Sequence, residues 1–488
     1  MKARNAAFLA GALLLPAAAA APAQQRSEPT VQQLALAAGY KAQFTCSGIF
    51  NGGKTEALIR AQELSNISDD LAPLLGRVGN AQVDRDEQHV SVRYSDHLPP
   101  RIAAWRPHLG CTGLPPGATS AAIRHLPQLE FAAPPPNQAE LPWPAGDRLP
   151  ALNASERAAQ ARLNGTVAAA FAGDFGGVTS AVLIVSGGKV LNERYLPGYT
   201  PHTSQRTWSV AKSIAATVIG AAVHRGLLTV DAPTALSAWA RPGDPRQAIT
   251  LEHLLHMNSG LDSGPAGNRT DAVYFGGGLV SQEVPRRRLV SPPGDRWRYA
   301  NNDTLLALLT LREKIGDRER YLRFPFSALL HPIGMQHTVP ETDWDGNFVM
   351  SSQVWTTARD LARLGLLYLN DGVWQGKRLL PRGWADYVRT PAAAQPSAPA
   401  RTTTTPRRGY GAQFWLLDAF PGVGAGAHAA LGNRGQLILL QPQDDLVIVR
   451  RGYDYSGNRF DGPAFLARVR AAITATEAPS SSGTAAGG

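Results

Sequence analysis

Two pairs of apolar segments, one near each end of a long region of the chain, constrain the fold most strongly. Residues 181–185 and 190–191 flank Gly187-Gly188, which is a two-residue hairpin signal. Residues 436–440 and 446–449 flank a turn with the sequence Pro-Gln-Asp-Asp. Strands of this kind at both ends of one region are expected to join in a single antiparallel sheet.

Helical segments flank and separate these strands. A helix capped by Asn153 or Ser155 is predicted to run to Ala172, and a final helix is predicted from about Pro463. The part between them is largely helical. We therefore predict an α+β fold over residues 153–476, in which terminal helices flank an antiparallel sheet that carries a mostly helical subdomain.

The rest of the chain divides into further parts. Residues 30–130 carry alternating segments such as 89–94 and predict a small α/β unit. Residues 131–152 are dense in proline, which cannot continue a helix or a central strand, so they predict a linker. Residues 477–488 are rich in Ser, Gly and Ala and predict a disordered tail.

The first residues have the composition of a signal peptide. Lys2 and Arg4 precede an apolar run over residues 6–15, and small residues follow as far as Ala23. The alternative, a membrane anchor, is disfavoured because the run is shorter than the roughly 20 residues that span a bilayer. We expect residues 1–23 to be removed and the protein to be periplasmic or secreted, without stable membrane insertion.

The chain contains two cysteines, Cys46 and Cys111, both in the first unit. An even number in an exported protein favours one disulfide, and two buried free thiols are the alternative. The formal charge of +10 raises the question of nucleic acid as a partner. Basic residues are scattered, however, with residues 286–288 the longest cluster, and no nucleic-acid signature accompanies them, so no such partner is expected.

The pattern Ser-x-x-Lys occurs twice. Ser186 and Lys189 fall in the predicted hairpin and are interpreted as structural. Ser209 and Lys212 open an apolar helix that closes at residues 224–226, so the helix N-terminus favours a developing negative charge at the serine. Lys212 lies one turn later, and burial could let it act as a base. The alternative is a Ser N-cap followed by an exposed lysine.

The pattern Tyr-x-Asn also occurs twice. Residues 368–370 end a predicted helix and are interpreted as core and helix stop. Tyr299 and Asn301 follow a Pro-Pro-Gly loop and precede a predicted helix over residues 304–310. Loops held by rigid elements commonly carry catalytic side chains, so the phenol could relay a proton and the amide could orient the lysine or a substrate.

Together these motifs resemble those of serine β-lactamases and penicillin-binding proteins. The third motif of that family is similar to Asn433-Arg434-Gly435, which is expected on a late edge strand. The likeness is closest to the class C branch and its esterase and 6-aminohexanoate-dimer hydrolase relatives, and residues 254–261 and 293–301 also resemble that branch. The resemblance covers about residues 153–476.

The resemblance implies acyl transfer without a cofactor or metal. Ser209 would be the nucleophile, with Lys212 and Tyr299 as the acid–base groups. The residues implied to orient the substrate are Asn301, Asn433 and Gly435, and the backbone N–H groups implied to hold the oxyanion are those of Ser209 and Gln436.

One departure from the family pattern bears on the substrate. Asn433 stands where β-lactamases and DD-peptidases carry the lysine of Lys-Thr-Gly, and Arg434 on an alternating strand should point to the opposite face. We therefore expect a small ester or amide as substrate. The alternatives are a β-lactamase or DD-peptidase on the same fold and a catalytically silent cell-envelope binding protein.

Three histidines and two tryptophans are further candidates for a role in the site. His253 and His256 share a helix face, but no third metal ligand is evident. His428 is interpreted as a surface residue. Trp297 and Trp415 could wall an apolar cleft, although buried aromatic residues more often belong to a core.

Overall fold

The computed structural model describes residues 28–132, 136–264, 270–396 and 408–475. The predicted signal peptide, residues 1–23, and the predicted tail, residues 477–488, lie outside the described residues. The described part combines helices with antiparallel sheets, which confirms the predicted α+β class.

Two helices and a four-stranded antiparallel sheet form the N-terminal unit. They are α1 (Val31–Phe50), α2 (Glu56–Gln62), β1 (Gln82–Asp84), β2 (His89–Val92), β3 (Arg101–Arg106) and β4 (Gly110–Gly113). A disulfide joins Cys46 of α1 to Cys111 of β4, as predicted. Helix α1 was not foreseen, because it buries many small residues and its sequence shows little apolar periodicity.

The strands of the main unit are short in its middle and long at its ends. In chain order they are β5 (Thr179–Ser186), β6 (Lys189–Tyr195), β7 (Gln205–Arg206), β8 (Val339–Pro340), β9 (Val354–Thr356), β10 (Val373–Trp374), β11 (Lys377–Arg378), β12 (Gly409–Tyr410), β13 (Trp415–Leu416), β14 (His428–Gly432), β15 (Gln436–Gln441) and β16 (Leu446–Gly452).

The helices of the main unit occupy both its ends and its middle. They are α3 (Ala154–Ala172), α4 (Val210–His224), α5 (Leu251–Leu255), α6 (Asp271–Tyr274), α7 (Val280–Glu283), α8 (Asn301–Ile315), α9 (Arg318–Pro325), α10 (Ala358–Leu369), α11 (Trp384–Arg389) and α12 (Gly462–Thr474). Within the described ranges, none of the helices is both long and apolar enough to cross a bilayer.

The central sheet has seven strands in the order β12-β13-β14-β15-β16-β5-β6. Strand β5 pairs with β16, so that Ile184 lies opposite Ile448 and Leu183 opposite Val449. Strands from the two ends of the main unit are therefore neighbours in one antiparallel sheet, as the sequence predicts. A separate three-stranded sheet has the order β7-β9-β8, and β7 ends three residues before Ser209.

The central sheet is covered on both faces. Helices α3 and α12 pack on one face, and the side chains of Asn153 and Asp461 cap them as predicted. Helices α4 and α10 pack on the other face, within the largest apolar cluster of the described residues. Side chains of β5 point alternately into the apolar clusters on the two faces of the sheet. One of these clusters includes α4, so this helix packs directly on the sheet.

Helix α8 is longer than predicted. The sequence indicated residues 304–310, and the helix begins at Asn301 and ends at Ile315, where Gly316 takes a left-handed conformation. The prediction followed only the apolar middle, whereas the first turn buries the polar side chains of Asn301, Asn302 and Asp303. This polar turn faces the candidate site.

Candidate active site

Ser209 lies at the junction of a short strand and a buried helix. Strand β7 ends at Arg206, Trp208 has a left-handed backbone with φ of 51°, and α4 begins at Val210. Left-handed conformations of non-glycine residues cost about 1–3 kcal/mol and cluster at functional sites. The Ser209 hydroxyl makes no capping hydrogen bond with α4, so the Ser N-cap alternative does not describe this residue.

The Lys212 amine points at the Ser209 hydroxyl from one turn further along α4. Its Nζ donates to Ser209 Oγ at 3.2 Å, to Asn301 Oδ1 at 2.6 Å and to the Ser351 carbonyl oxygen at 2.6 Å. Lys212 is buried rather than exposed, and burial lowers its pKa to about 7. An amine that is partly neutral at neutral pH can accept the serine proton.

The phenol of Tyr299 reaches the same point. Burial raises the pKa of Tyr299 above its ordinary value, and a hydrogen bond with Ser209 opposes that rise. The Lys212 Nζ lies 5.0 Å from the centre of the Tyr299 ring. The ring packs against Trp297 and Trp415, with centroids at 6.4 and 5.5 Å, so these two tryptophans position the tyrosine. The phenol is therefore neutral at neutral pH and available to donate a proton.

Asn301, the first residue of α8, contacts the Lys212 amine of α4. Its Oδ1 accepts the hydrogen bond from Lys212, and its Nδ2 donates to Thr270 Oγ1 at 3.3 Å. The second bond fixes the amide so that its oxygen faces the amine. Asn301 thus orients Lys212, which is one of the two roles that the sequence suggested for it.

The segment Asn433-Arg434-Gly435 does not lie on an edge strand, which corrects the prediction. It forms the tight turn between β14 and β15, because Arg434 takes a left-handed conformation with φ of 58°. A side chain added at Gly435 would clash with Arg450 and Asp454. Gly435 is therefore required for this close packing, and it also lines the cleft.

The glycine that borders the nucleophile is Gly432, three residues earlier. A Cβ built on Gly432 would lie 3.2 Å from the Ser209 backbone nitrogen and would clash with the Thr207 carbonyl oxygen. Gln436, expected to supply an oxyanion donor, pairs with Gly432 across the turn, and its side chain accepts a hydrogen bond from Arg451. Gln436 therefore lies directly opposite Gly432, at the start of strand β15.

A cleft of about 810 Å³ opens beside Ser209. The main unit lines one side, and residues 66–69 of the N-terminal unit line another. The Arg434 guanidinium donates to the backbone carbonyls of Gln62 and Ser65 and so attaches the N-terminal unit at the edge of the cleft. Arg434 is buried in these contacts, and it also lines the cleft.

The second copies of both motifs are structural, as predicted. Lys189 forms an ion pair with Glu156 at 2.7 Å in the hairpin. The Tyr368 hydroxyl lies 2.8 Å from Thr217 Oγ1, and Asn370 ends α10. The two copies of each sequence pattern therefore lie in different structural contexts.

The histidine candidates fall into two groups. The ring nitrogens of His256 contact the backbone oxygens of Glu252 and Thr390, and His253 Nδ1 accepts a hydrogen bond from the Thr250 N–H. His428 is buried, which corrects its interpretation as a surface residue, and burial lowers its pKa to about 4. It contacts the Gly426 carbonyl and belongs to the core beneath β14.

The sequence model of the beta-lactamase family matches residues 163–451, which is more than half of the chain. The chain belongs to the beta-lactamase family. It is a hydrolase of that family, and the family resemblance drawn from its motifs is confirmed.

Relatives within the beta-lactamase family carry different activities in their names. The 6-aminohexanoate-dimer hydrolase of Paenarthrobacter ureafaciens is 25% identical over 293 residues, which cover 56% of this chain and 72% of that protein. A penicillin-binding protein homologue from Caulobacter crescentus has the same fold, with a TM-score of 0.51, 17% identity, and coverage of 64% of this chain and 97% of its own. A family VIII carboxylesterase also shares the fold, with a TM-score of 0.51, 16% identity, and coverage of 66% and 98%.

Besides Gly432, sequence reasoning missed three further residues at this beta-lactamase-family site. Ser351 holds Lys212 through a backbone carbonyl, which carries no signal of residue type. Tyr274 places its hydroxyl 2.6 Å from Ser351 Oγ. Arg206 is buried and stacks 3.5 Å from the Trp208 ring. Of these three residues, only Arg206 could have been identified from the sequence, because it is a cation three residues before Ser209.

Proposed function

We propose that this protein hydrolyses small esters or amides through an acyl-enzyme formed on Ser209. The observation that carries the proposal is the 3.2 Å contact between the Ser209 hydroxyl and the buried Lys212 amine. A poor nucleophile is paired there with a base whose pKa lies near neutrality. The names of the relatives, an amide hydrolase and a carboxylesterase, support the same class of substrate.

In the proposed reaction, protons are transferred between Ser209, Lys212 and Tyr299. Neutral Lys212 removes the proton of Ser209 as Oγ bonds to the substrate carbonyl carbon, and the carbonyl electrons move to its oxygen. Collapse of this intermediate breaks the bond to the leaving group, which takes a proton from the neutral phenol of Tyr299. Protonated Lys212 restores the phenol. A water molecule then attacks the acyl-enzyme by the same route, and Ser209 is the leaving group.

We propose that two backbone N–H groups hold the oxyanion, those of Ser209 and Asn433, so that Asn433 takes the role that the family resemblance implied for Gln436. The Ser209 N–H lies at the start of α4, where helix hydrogen bonds do not use it. Gly432, the last residue of β14, lies against the Ser209 backbone nitrogen, since a Cβ built on it would stand 3.2 Å from that atom. Asn433 follows directly and begins the turn at this point. Each donor is worth about 3–4 kcal/mol in the transition state.

The strand beside the nucleophile favours an ester or amide over a β-lactam. Residues 430–432 have the sequence Ala-Leu-Gly and carry no cation, and Arg434 is held by the N-terminal unit. A β-lactam or a D-Ala-D-Ala peptide presents a carboxylate, which would lack the lysine that the family uses. A β-lactamase or DD-peptidase activity is therefore the second candidate, and the complete Ser209, Lys212 and Tyr299 set speaks against a silent binding protein.

We also propose that the protein works in the periplasm or outside the cell. The composition of residues 1–23 motivates this location, and the disulfide between Cys46 and Cys111 is consistent with an oxidising compartment. Fractionation of cells that express the full chain, followed by mass determination of the mature N-terminus, tests it. Retention of residues 1–23 in a cytoplasmic protein would contradict it.

The activity proposal is tested with three substrates on one preparation. We expect turnover of p-nitrophenyl acetate and labelling by a fluorophosphonate probe, both lost in Ser209→Ala. Faster turnover of nitrocefin than of the ester, or stable labelling by a fluorescent penicillin, would favour the second candidate. Absence of any labelling in the folded protein would favour the binding protein.

A further inference from the structure

Three side chains with metal-binding atoms converge outside the cleft that opens beside Ser209. They are Asp147, from the proline-rich segment, His202, from the loop between β6 and β7, and His337, from the loop before β8. One carboxylate oxygen and one nitrogen from each ring lie within 4.8 Å of one another. None of the three residues lines the cleft, so the cluster has no part in the proposed chemistry.

The spacing of these atoms fits a tetrahedral metal ion. His202 Nδ1 lies 3.3 Å from His337 Nε2 and 3.8 Å from Asp147 Oδ2. Zinc bonds of 2.0–2.1 Å at tetrahedral angles separate neighbouring ligand atoms by about 3.3 Å. The two imidazoles already stand at that separation. The carboxylate oxygen is slightly farther away, and a small turn of the half-exposed His202 side chain closes the difference.

The two oxygens of the Asp147 carboxylate have different surroundings. Its Oδ1 forms ion pairs with Arg363 at 2.8 Å and with Arg359 at 3.3 Å. Its Oδ2 is buried and has no hydrogen-bond partner among the described residues, and this is the oxygen that faces His202. A buried carboxylate oxygen without a partner is costly, and a cation at the cluster would remove that cost.

The charges around the cluster also favour a cation. The ion pairs join three carboxylates, those of Asp147, Glu193 and Asp360, to two guanidinium groups. The connected group therefore has one formal negative charge in excess, beside two imidazoles. Zinc takes imidazole and carboxylate ligands, and the excess charge offsets part of its own.

The three ligands are held in place by their surroundings. Arg363 donates to the carbonyls of Pro144 and Gly146, which fixes the segment that carries Asp147. The His337 backbone N–H donates to Asp360 Oδ2 at 3.0 Å, and the Thr200 hydroxyl accepts from the His202 N–H at 3.2 Å. Fixed backbones reduce the ordering cost of binding a metal.

We propose that Asp147, His202 and His337 form a zinc site, with water as the fourth ligand on the exposed side. The ion would tie the proline-rich segment to the two loops that lead into the β7-β9-β8 sheet. Because β7 continues through Trp208 to the nucleophile, the site would stabilise the entrance of α4 without taking part in the reaction. A hydrogen bond between the two imidazoles alone is the competing explanation for their contact.

The test uses the mature protein with its affinity tag cleaved and its metals removed by chelation. Isothermal titration with zinc chloride should give one ion per chain, and zinc should raise the melting temperature. His202→Ala and His337→Ala should each lose both effects. His97→Ala, which removes an exposed histidine from the N-terminal unit, should keep them. Cobalt should give the intense visible bands of four-coordination in the wild type and in His97→Ala alone.

Two results would overturn the proposal. Absence of stoichiometric binding by the wild type would leave the imidazole hydrogen bond as the explanation. Binding that persists in both His202→Ala and His337→Ala would place the ion elsewhere. Should His337→Ala fail to fold, His202→Ala decides the question, because His202 is 54% exposed and its loss leaves no cavity.

Discussion

The buried Lys212 amine contacts the Ser209 hydroxyl at the wall of the cleft. The contact is 3.2 Å long, and 1% of Lys212 is exposed. Burial lowers the pKa of this lysine from 10.5 to about 7, because the charged form loses its hydration. The same burial that destabilises the ammonium ion therefore creates the base, and activity should follow the titration of one side chain.

The first prediction concerns pH. Because Lys212 accepts the serine proton only when it is neutral, kcat/KM for p-nitrophenyl acetate should rise with pH through about 7 and then level off. Lys212→Met should lower kcat/KM by about 10³-fold or more and should abolish its rise with pH. Lys189→Met, which alters the second Ser-x-x-Lys, should keep both the rate and the profile. A profile of the wild type that is flat through neutrality would exclude this role for Lys212.

The second prediction distinguishes Tyr299 from Tyr368, the two tyrosines of the Tyr-x-Asn pattern. Tyr299→Phe keeps the aromatic packing and removes the proton donor, so kcat should fall by about 10²–10⁴-fold. Tyr368→Phe removes a hydroxyl that contacts Thr217, which costs stability of about 1 kcal/mol and leaves kcat unchanged. Steady-state kinetics and urea unfolding of both variants provide the comparison. Equal effects on kcat would show that Tyr299 is structural.

The third prediction concerns the attachment of the N-terminal unit. Arg434→Met removes the donors to the Gln62 and Ser65 carbonyls. Hydrogen exchange of residues 62–71 should accelerate, and KM should rise because residues 66–69 line the cleft. Arg60→Met, at an exposed arginine of α2, is the matched control and should change neither. Unchanged exchange in Arg434→Met would mean that other contacts hold this unit.

The fourth prediction concerns a buried carboxyl between the two units. Glu341 accepts hydrogen bonds from Ser47 of α1 and from Asn51, which follows this helix, and burial raises its pKa from 4.5 to about 7. The folded state then binds more protons than the unfolded state between these values, so this group's contribution to stability falls as pH rises from about 4.5 to 7.

The measurement for Glu341 is the free energy of unfolding against pH. Glu341→Gln keeps the shape and cannot ionise, so its stability relative to the wild type should increase by a few kcal/mol across this window. The difference should be constant above about pH 8. A constant difference at all pH values would show that Glu341 does not titrate between the two states.

The sequence predicted the strands because their patterns are local. The hairpin at Gly187-Gly188 and the caps Asn153 and Asp461 stand where they were expected. Helix α1 was missed because Ala, Gly and Ser pack closely without a strong apolar stripe. Burial of His428 depends on strands that meet only in three dimensions, and no neighbouring residue signals it.

The site was predictable as far as its side chains are distinctive. Ser209, Lys212 and Tyr299 meet in space, and their residue types state what they can do. Gly432 was missed in favour of Gly435 because both precede a polar residue near the turn, and the left-handed conformation of Arg434 decides which one lies on the strand. Backbone contacts, such as that of the Ser351 carbonyl with Lys212, leave no mark in the sequence.

The most direct test of the account is the mass of the protein during turnover. Rapid acid quenching of the reaction with p-nitrophenyl acetate, followed by intact mass spectrometry and peptide mapping, should show one acetyl group on Ser209. Ser209→Ala should show none and should not turn over the ester. Turnover by Ser209→Ala at the wild-type rate, or an acetyl group that maps to another residue, would contradict the account.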